Sequence, residues 1–123
     1  MLPRSNYSAG RDFESAACEL LRRKGFNIVE RNYGGIRGTR VGEIDIIAFD
    51  PAARVLVFAE VKQRATHEIA GECVTAAQQE RIAAGAQIFL DRNPIYAGAD
   101  CRFDAILFDA EGRALHLENA FGI

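Results

Sequence analysis

The sequence predicts an α/β domain with the element order α-β-β-β-α-β-β, in which helices pack on one mixed β-sheet. Three observations point there. The chain opens on an amphipathic helical stripe. Two short apolar runs follow, joined by the turn-forming segment Asp50-Pro51-Ala52-Ala53-Arg54. A capped helical stretch then stands between the third strand and the fourth, so at one point a helix links two strands of the sheet. The whole chain, 1–123, reads as one domain with a flexible N-terminal arm over 1–9.

Phe13, Ala16, Ala17, Leu20 and Leu21 recur at the i, i+3, i+4, i+7, i+8 spacing of a buried helix face. Arg22, Arg23 and Lys24 supply a cationic last turn and Gly25 a stop, so the first helix spans about 11 to 24. Phe26 to Tyr33 is the first strand, followed by a glycine-bearing loop to Gly42. That loop has no lysine and no Walker spacing, which makes it a poor phosphate cradle. Ile44 to Phe49 and Val55 to Val61 form a β-hairpin, because Asp50 and Pro51 suit a type I turn. Thr75 with Gln78 three residues on is a capping box, and Ile82, Ala86, Phe89 and Leu90 give the buried stripe of a helix that stops near Pro94. Arg102 to Phe108 and Ala114 to Leu117 complete the sheet.

Composition narrows the function. With 49% hydrophobic residues the chain can fill a core, and its apolar runs are far shorter than the ~20 residues of a membrane span, so a soluble cytoplasmic protein is expected. Cys18, Cys73 and Cys101 are odd in number and contain no Cys-x-x-Cys pair, hence they read as reduced, mostly buried small hydrophobes. A net charge of −2 argues against a protein that coats nucleic acid. Residues 1–40, however, hold eight basic and four acidic side chains, ending in the loop with Arg37 and Arg40. A local phosphate contact or a solvated surface both fit that bias.

The hairpin carries the chemistry. If Pro51 to Arg54 is a four-residue loop, Asp50 faces Val55, and the same register sets Ile47 against Phe58 and Asp45 against Glu60. Strict alternation then places Asp45, Ile47, Phe49, Glu60 and Lys62 on one face, with Ile44, Ile46 and Ala48 on the other. Two carboxylates ~4.5–5.5 Å apart on a covered sheet repel, so something cationic must compensate. A divalent ion does this with carboxylate and carbonyl oxygens. The plainer reading pairs Lys62 with Glu60 and Glu43 as a structural ion pair.

Asp45 followed by Glu60-Val61-Lys62 resembles the D…(D/E)-x-K signature of restriction-endonuclease-like nucleases. Gly42-Glu43-Ile44-Asp45, Val57-Phe58-Ala59-Glu60-Val61-Lys62-Gln63-Arg64, Glu14 with Ala17, and Arg102-Phe103-Asp104 together resemble the bacterial YraN family, itself similar to archaeal Holliday junction resolvases. The resemblance implies a restriction-endonuclease-like core and nucleic acid, branched DNA above all, as ligand, so a Mg²⁺- or Mn²⁺-dependent endonuclease acting on DNA is the leading expectation. Because a junction offers two symmetric scissile strands, a homodimer is the expected acting form. By position it implies Asp45, Glu60 and the Val61 carbonyl as metal ligands, Lys62 as the catalytic ammonium and Glu14 as a helix-borne acid. Gln63 and Arg64 would touch phosphate beside Arg37 and Arg40. Gln78, where relatives carry a lysine, and the acidic net charge depart from that pattern. A non-catalytic nucleic-acid-binding or scaffold protein with the same fold is the alternative.

Overall fold

The first helix, α1 (Ala9–Arg23), ends in a Schellman motif: Phe26 N–H bonds the Leu21 carbonyl and Gly25 N–H the Arg22 carbonyl, both at 3.0 Å. Gly25 adopts φ 99°, a left-handed conformation that a residue without Cβ enters at little cost. The computed structural model describes residues 9–34, 43–63 and 74–122, with only the backbone of 9–12. The expected arm over 1–9 lies outside them except for Ala9, which opens the helix two residues before the predicted start.

Strands β1 (Asn27–Tyr33), β2 (Ile44–Asp50), β3 (Val55–Gln63), β4 (Asp100–Phe108) and β5 (Ala114–Leu117) form one sheet in chain order, β1-β2-β3-β4-β5. Helix α2 (Ala76–Arg92) crosses from β3 to β4, and that pair alone is parallel. The predicted order α-β-β-β-α-β-β and the mixed sheet are thus observed. The Thr75/Gln78 capping box forms in both directions, satisfying two backbone N–H groups at the start of α2. A 3₁₀ turn at Pro94–Tyr96, which the periodicity does not signal, follows the helix.

The β2–β3 loop behaves as its chemistry dictates. Asp50 Oδ1 accepts from the N–H groups of Ala52 and Ala53, and Arg54 closes the loop at φ 56°. The resulting register pairs Asp50 with Val55, Phe49 with Leu56 and Ile47 with Phe58, as predicted.

Each sheet face carries one helix. Ala17, Cys18, Leu21 and Phe26 pack on Ile46, Ala48, Val57, Ala59, Ile106 and Phe108. Ile82, Ala86 and Phe89 pack on Ile47, Leu56, Phe58, Ala105 and Leu107. Fully burying each large apolar side chain contributes ~1.5–3 kcal/mol, so these two clusters dominate the stability.

Three expectations need correction. Ile44 does not share a face with Ile46; it joins Ile47 in the α2 cluster, because strand alternation breaks around Asp45. Strand β4 begins two residues early, and its exposed first turn of chain leaves Cys101 exposed, while Cys18 is buried. Edge strand β1 is irregular, with a register shift between Ile28 and Glu30.

Candidate active site

The β2–β3 ladder runs from Asp50↔Val55 to Ile46↔Ala59. One step further, where Asp45 would oppose Glu60, the side chain of Asp45 replaces the backbone as partner: Val61 N–H donates to Asp45 Oδ2 at 2.8 Å. The carboxylate is therefore anchored at the strand edge and does not stand clear of the sheet as simple alternation requires. It lies near enough to Glu60 for the Glu60 charge to bear on it.

Glu60 itself is nearly enclosed, at 8% exposure. Its Oε2 lies 3.3 Å from Lys62 Nζ, two residues along the same strand. Asp45, Val61, Lys62 and Gln63 line an open pocket of about 200 Å³, closed from the side of α1 by Phe13 and Glu14. Strand β2 brings Asp45 there, β3 brings Val61, Lys62 and Gln63, and the first turns of the helix bring the last two.

Electrostatics single out Asp45. Burial raises its pKa most, the Glu60 charge next, and Glu14 adds to both; the Val61 N–H opposes them, and the result is a carboxyl pushed up to about 7. Lys62 lies beside Glu60, yet its ammonium leaves Asp45 far above the usual carboxylate range.

Among the described residues no three His, Cys, Asp or Glu side chains converge as a ready-made metal cage. Mg²⁺ needs none: it keeps several waters and takes one or two carboxylates, which Asp45 and Glu60 can supply with a backbone carbonyl. An acid pair that holds a proton near neutrality is a donor set such a cation would suit.

Glu14 is held from the other side. Its Oε1 accepts from Asn32 Nδ2 at 3.1 Å and from Arg31 Nη2 at 3.4 Å, and Arg31 Nη2 also lies 3.4 Å from Ser15 Oγ. Arg31 and Asn32 were not among the residues singled out from the sequence. Asn32 adopts φ 52°, a left-handed conformation that Asn tolerates better than most residues, and an Asn near the end of a predicted strand is the signal that could have marked it.

The other candidates divide cleanly. Gln63 is exposed at the pocket rim. Arg37, Arg40, Arg64 and Cys73 lie outside the described residues. Asp104 is drawn elsewhere: fully buried, it accepts from Arg102 Nε and Nη2 at 2.9 Å each, from Asn119 N–H at 2.9 Å and from His116 Nε2 at 2.7 Å. No helix among the described residues is long and apolar enough to cross a membrane.

The family model described as "Uncharacterised protein family UPF0102" matches residues 13–108, which takes in α1, the hairpin and β4. A UPF0102 protein of Rhodopseudomonas palustris is 38% identical over 94% of this chain and 84% of its own length. One from Desulforapulum autotrophicum is 42% identical over 91% of each, and one from Dechloromonas aromatica 43% identical over 83% of this chain and 79% of its own.

Proposed function

The chain belongs to the UPF0102 family, and we propose that it is a Mg²⁺- or Mn²⁺-dependent endonuclease that hydrolyses phosphodiester bonds in DNA, with branched or junction DNA as substrate. The observation that carries this reading is the buried acid pair beside a lysine: Asp45 pushed up to about 7 with Glu60 against it and Lys62 Nζ 3.3 Å from Glu60. A structural ion pair between Lys62 and Glu60 accounts for Glu60 but not for a second buried carboxyl brought against it.

When bound, the cation lowers the pKa of a water and stabilises charge that builds on the phosphate. Asp45 and Glu60 would hold it, with the Val61 carbonyl as a third oxygen. The Val61 N–H keeps Asp45 Oδ2 fixed while its other oxygen serves the site. Lys62 orients the attacking water and neutralises the developing charge. Glu14, on the opposite wall of the pocket, acts through a water. Arg37, Arg40, Gln63 and Arg64 contact phosphates, which positions the duplex without reading bases. A junction offers two symmetric scissile strands, and each chain brings one such pocket, so a homodimer is the acting form.

Calorimetric and thermal titration of Mn²⁺ into wild type and Asp45→Asn tests this, with a fluorescent four-way junction as cleavage substrate. Wild type should bind Mn²⁺, gain about 2.7 kcal/mol at a hundredfold excess over Kd and cut the junction. Asp45→Asn should lose all three. A wild type indifferent to Mn²⁺ would overturn the reading; binding without cleavage on any branched or linear duplex would favour the non-catalytic scaffold.

A further inference from the structure

Asn32 sits in edge strand β1 between the pairs Arg31↔Ile46 and Tyr33↔Ile44, across from Asp45. Its φ is 52°, the left-handed region that Asn tolerates better than most residues. A regular strand sends consecutive side chains to opposite faces. Here Arg31 and Asn32 are consecutive and both reach Glu14 on α1, while Tyr33 returns to the α2 cluster. The facing strand breaks its alternation at the same level, with Ile44 in the α2 cluster, Asp45 in the pocket beside Glu14, and Ile46 in the α1 cluster. The left-handed residue and the displaced carboxylate are thus neighbours across one rung of the sheet.

Glu14 would otherwise be a poorly fixed ligand. A glutamate on a helix has three rotatable side-chain bonds, and holding it in one geometry costs side-chain entropy. Its side chain is 14% exposed and its Oε1 receives the Asn32 amide at 3.1 Å, a neutral donor that orients the carboxylate without cancelling its charge. Arg31 reaches the same oxygen at a longer 3.4 Å from a side chain that is 39% exposed, so solvent weakens its hold. The amide is the better placed of the two.

We propose that Asn32 is a positioning residue of the cation site: its left-handed backbone and side-chain amide fix Glu14 at the pocket, so that this acid faces the ion held by Asp45 and Glu60. The inference rests on the endonuclease reading given above and adds a residue to it. Because the amide acts only through Glu14, its contribution must vanish when Glu14 can no longer serve the cation.

The test is a double-mutant cycle read by Mn²⁺ calorimetry and by cleavage of a four-way junction, on wild type, Asn32→Gly, Glu14→Gln and the double variant. Glycine retains φ near 52° without strain and removes only the amide, so the fold should persist, as a melting curve for each variant verifies. Asn32→Asp, which replaces the donor by a like charge facing Glu14, is a second probe. Asn32→Gly should weaken Mn²⁺ about tenfold, the low end for a residue that orients a metal site, with a fall in kcat at nearly unchanged KM for DNA. Asn32→Asp should weaken it further. In the Glu14→Gln background both substitutions should change Mn²⁺ affinity less than twofold, whereas a merely structural role would cost the same in either background. If wild type binds Mn²⁺ and Asn32→Gly binds it equally well, or the loss persists in Glu14→Gln, the positioning role is wrong and the endonuclease reading stands. If wild type binds no Mn²⁺, both fall together.

Discussion

Two acids of the same sheet, Asp45 on β2 and Asp104 on β4 with β3 between them, are driven in opposite directions. Burial alone would raise both. At Asp104 the His116 ring, the Arg102 guanidinium and the Asn119 N–H outweigh it, and the carboxyl is held below its ordinary range although it is fully buried. At Asp45 one N–H opposes burial and the charges of Glu60 and Glu14, and the carboxyl rises to about 7. Depth therefore does not decide the outcome; the number of donors aimed at the group does. Asp104 is completed by the protein's own donors, and Asp45 is not.

The largest effect should come from removing the completed acid. Asp104→Ala strands the Arg102 guanidinium, the His116 ring and the Asn119 N–H in a buried site, and should cost about 3–5 kcal/mol in urea unfolding. Asp45→Asn should leave the metal-free domain at least as stable as wild type at neutral pH. Equal losses at the two positions would break the contrast.

A somewhat smaller effect separates the two acids by pH. The folded pKa of Asp45 lies above its unfolded value of 3.8, so its contribution is fully present below that value and is lost as pH rises through about 7, by on the order of 3–4 kcal/mol. Asp104, lowered, contributes above 3.8 and loses its contribution as pH falls below it. Unfolding in chelator from pH 3 to 8 should show wild type losing stability relative to Asp45→Asn between about pH 4 and 7, with no further loss above that. A pH-independent difference between the two proteins would show that Asp45 does not carry the raised pKa.

The smallest effect lies at the outer end of the completed cluster. Lys24 Nζ meets His116 Nδ1 at 2.8 Å. An ammonium can only donate, so Nδ1 accepts and Nε2–H faces Asp104, which selects one neutral tautomer of the ring. Lys24 is exposed, and Lys24→Met should cost no more than about 1 kcal/mol. A loss near that of Asp104→Ala would place the weight of the cluster on the surface link instead of the buried one.

Much of this was legible in residue order. The stripe of α1, the Asp50 turn with the hairpin register it sets, the Thr75/Gln78 box and the β5 run are all local signals, fixed within a few residues of where they are read. What escaped is what depends on a second element. The left-handed Asn32 and the change of face at Ile44 arise where β1, β2 and α1 meet, so strict alternation misplaced Ile44 and overlooked Arg31 and Asn32. Asp104 was visible as part of an Arg-Phe-Asp string, but its partners His116 and Asn119 lie 12 and 15 residues away, on β5 and beyond it. Cys101 read as buried because its strand was started too late.

The four-residue loop at Pro51–Arg54 also bears on the order in which charges are confined. It joins Asp50 to Val55 directly, whereas the parallel pair needs Val55 to find Asp100 across the whole α2 crossover. Loop-closure entropy makes the second event costlier by about 2 kcal/mol. Asp45 and Glu60 therefore come together while the hairpin is still wet, where two like charges 4 Å apart repel by only about 1 kcal/mol. The repulsion becomes severe when β4 and the helices expel the water. The same short loop that sets the register thus defers the electrostatic cost of the acid pair to the end of folding.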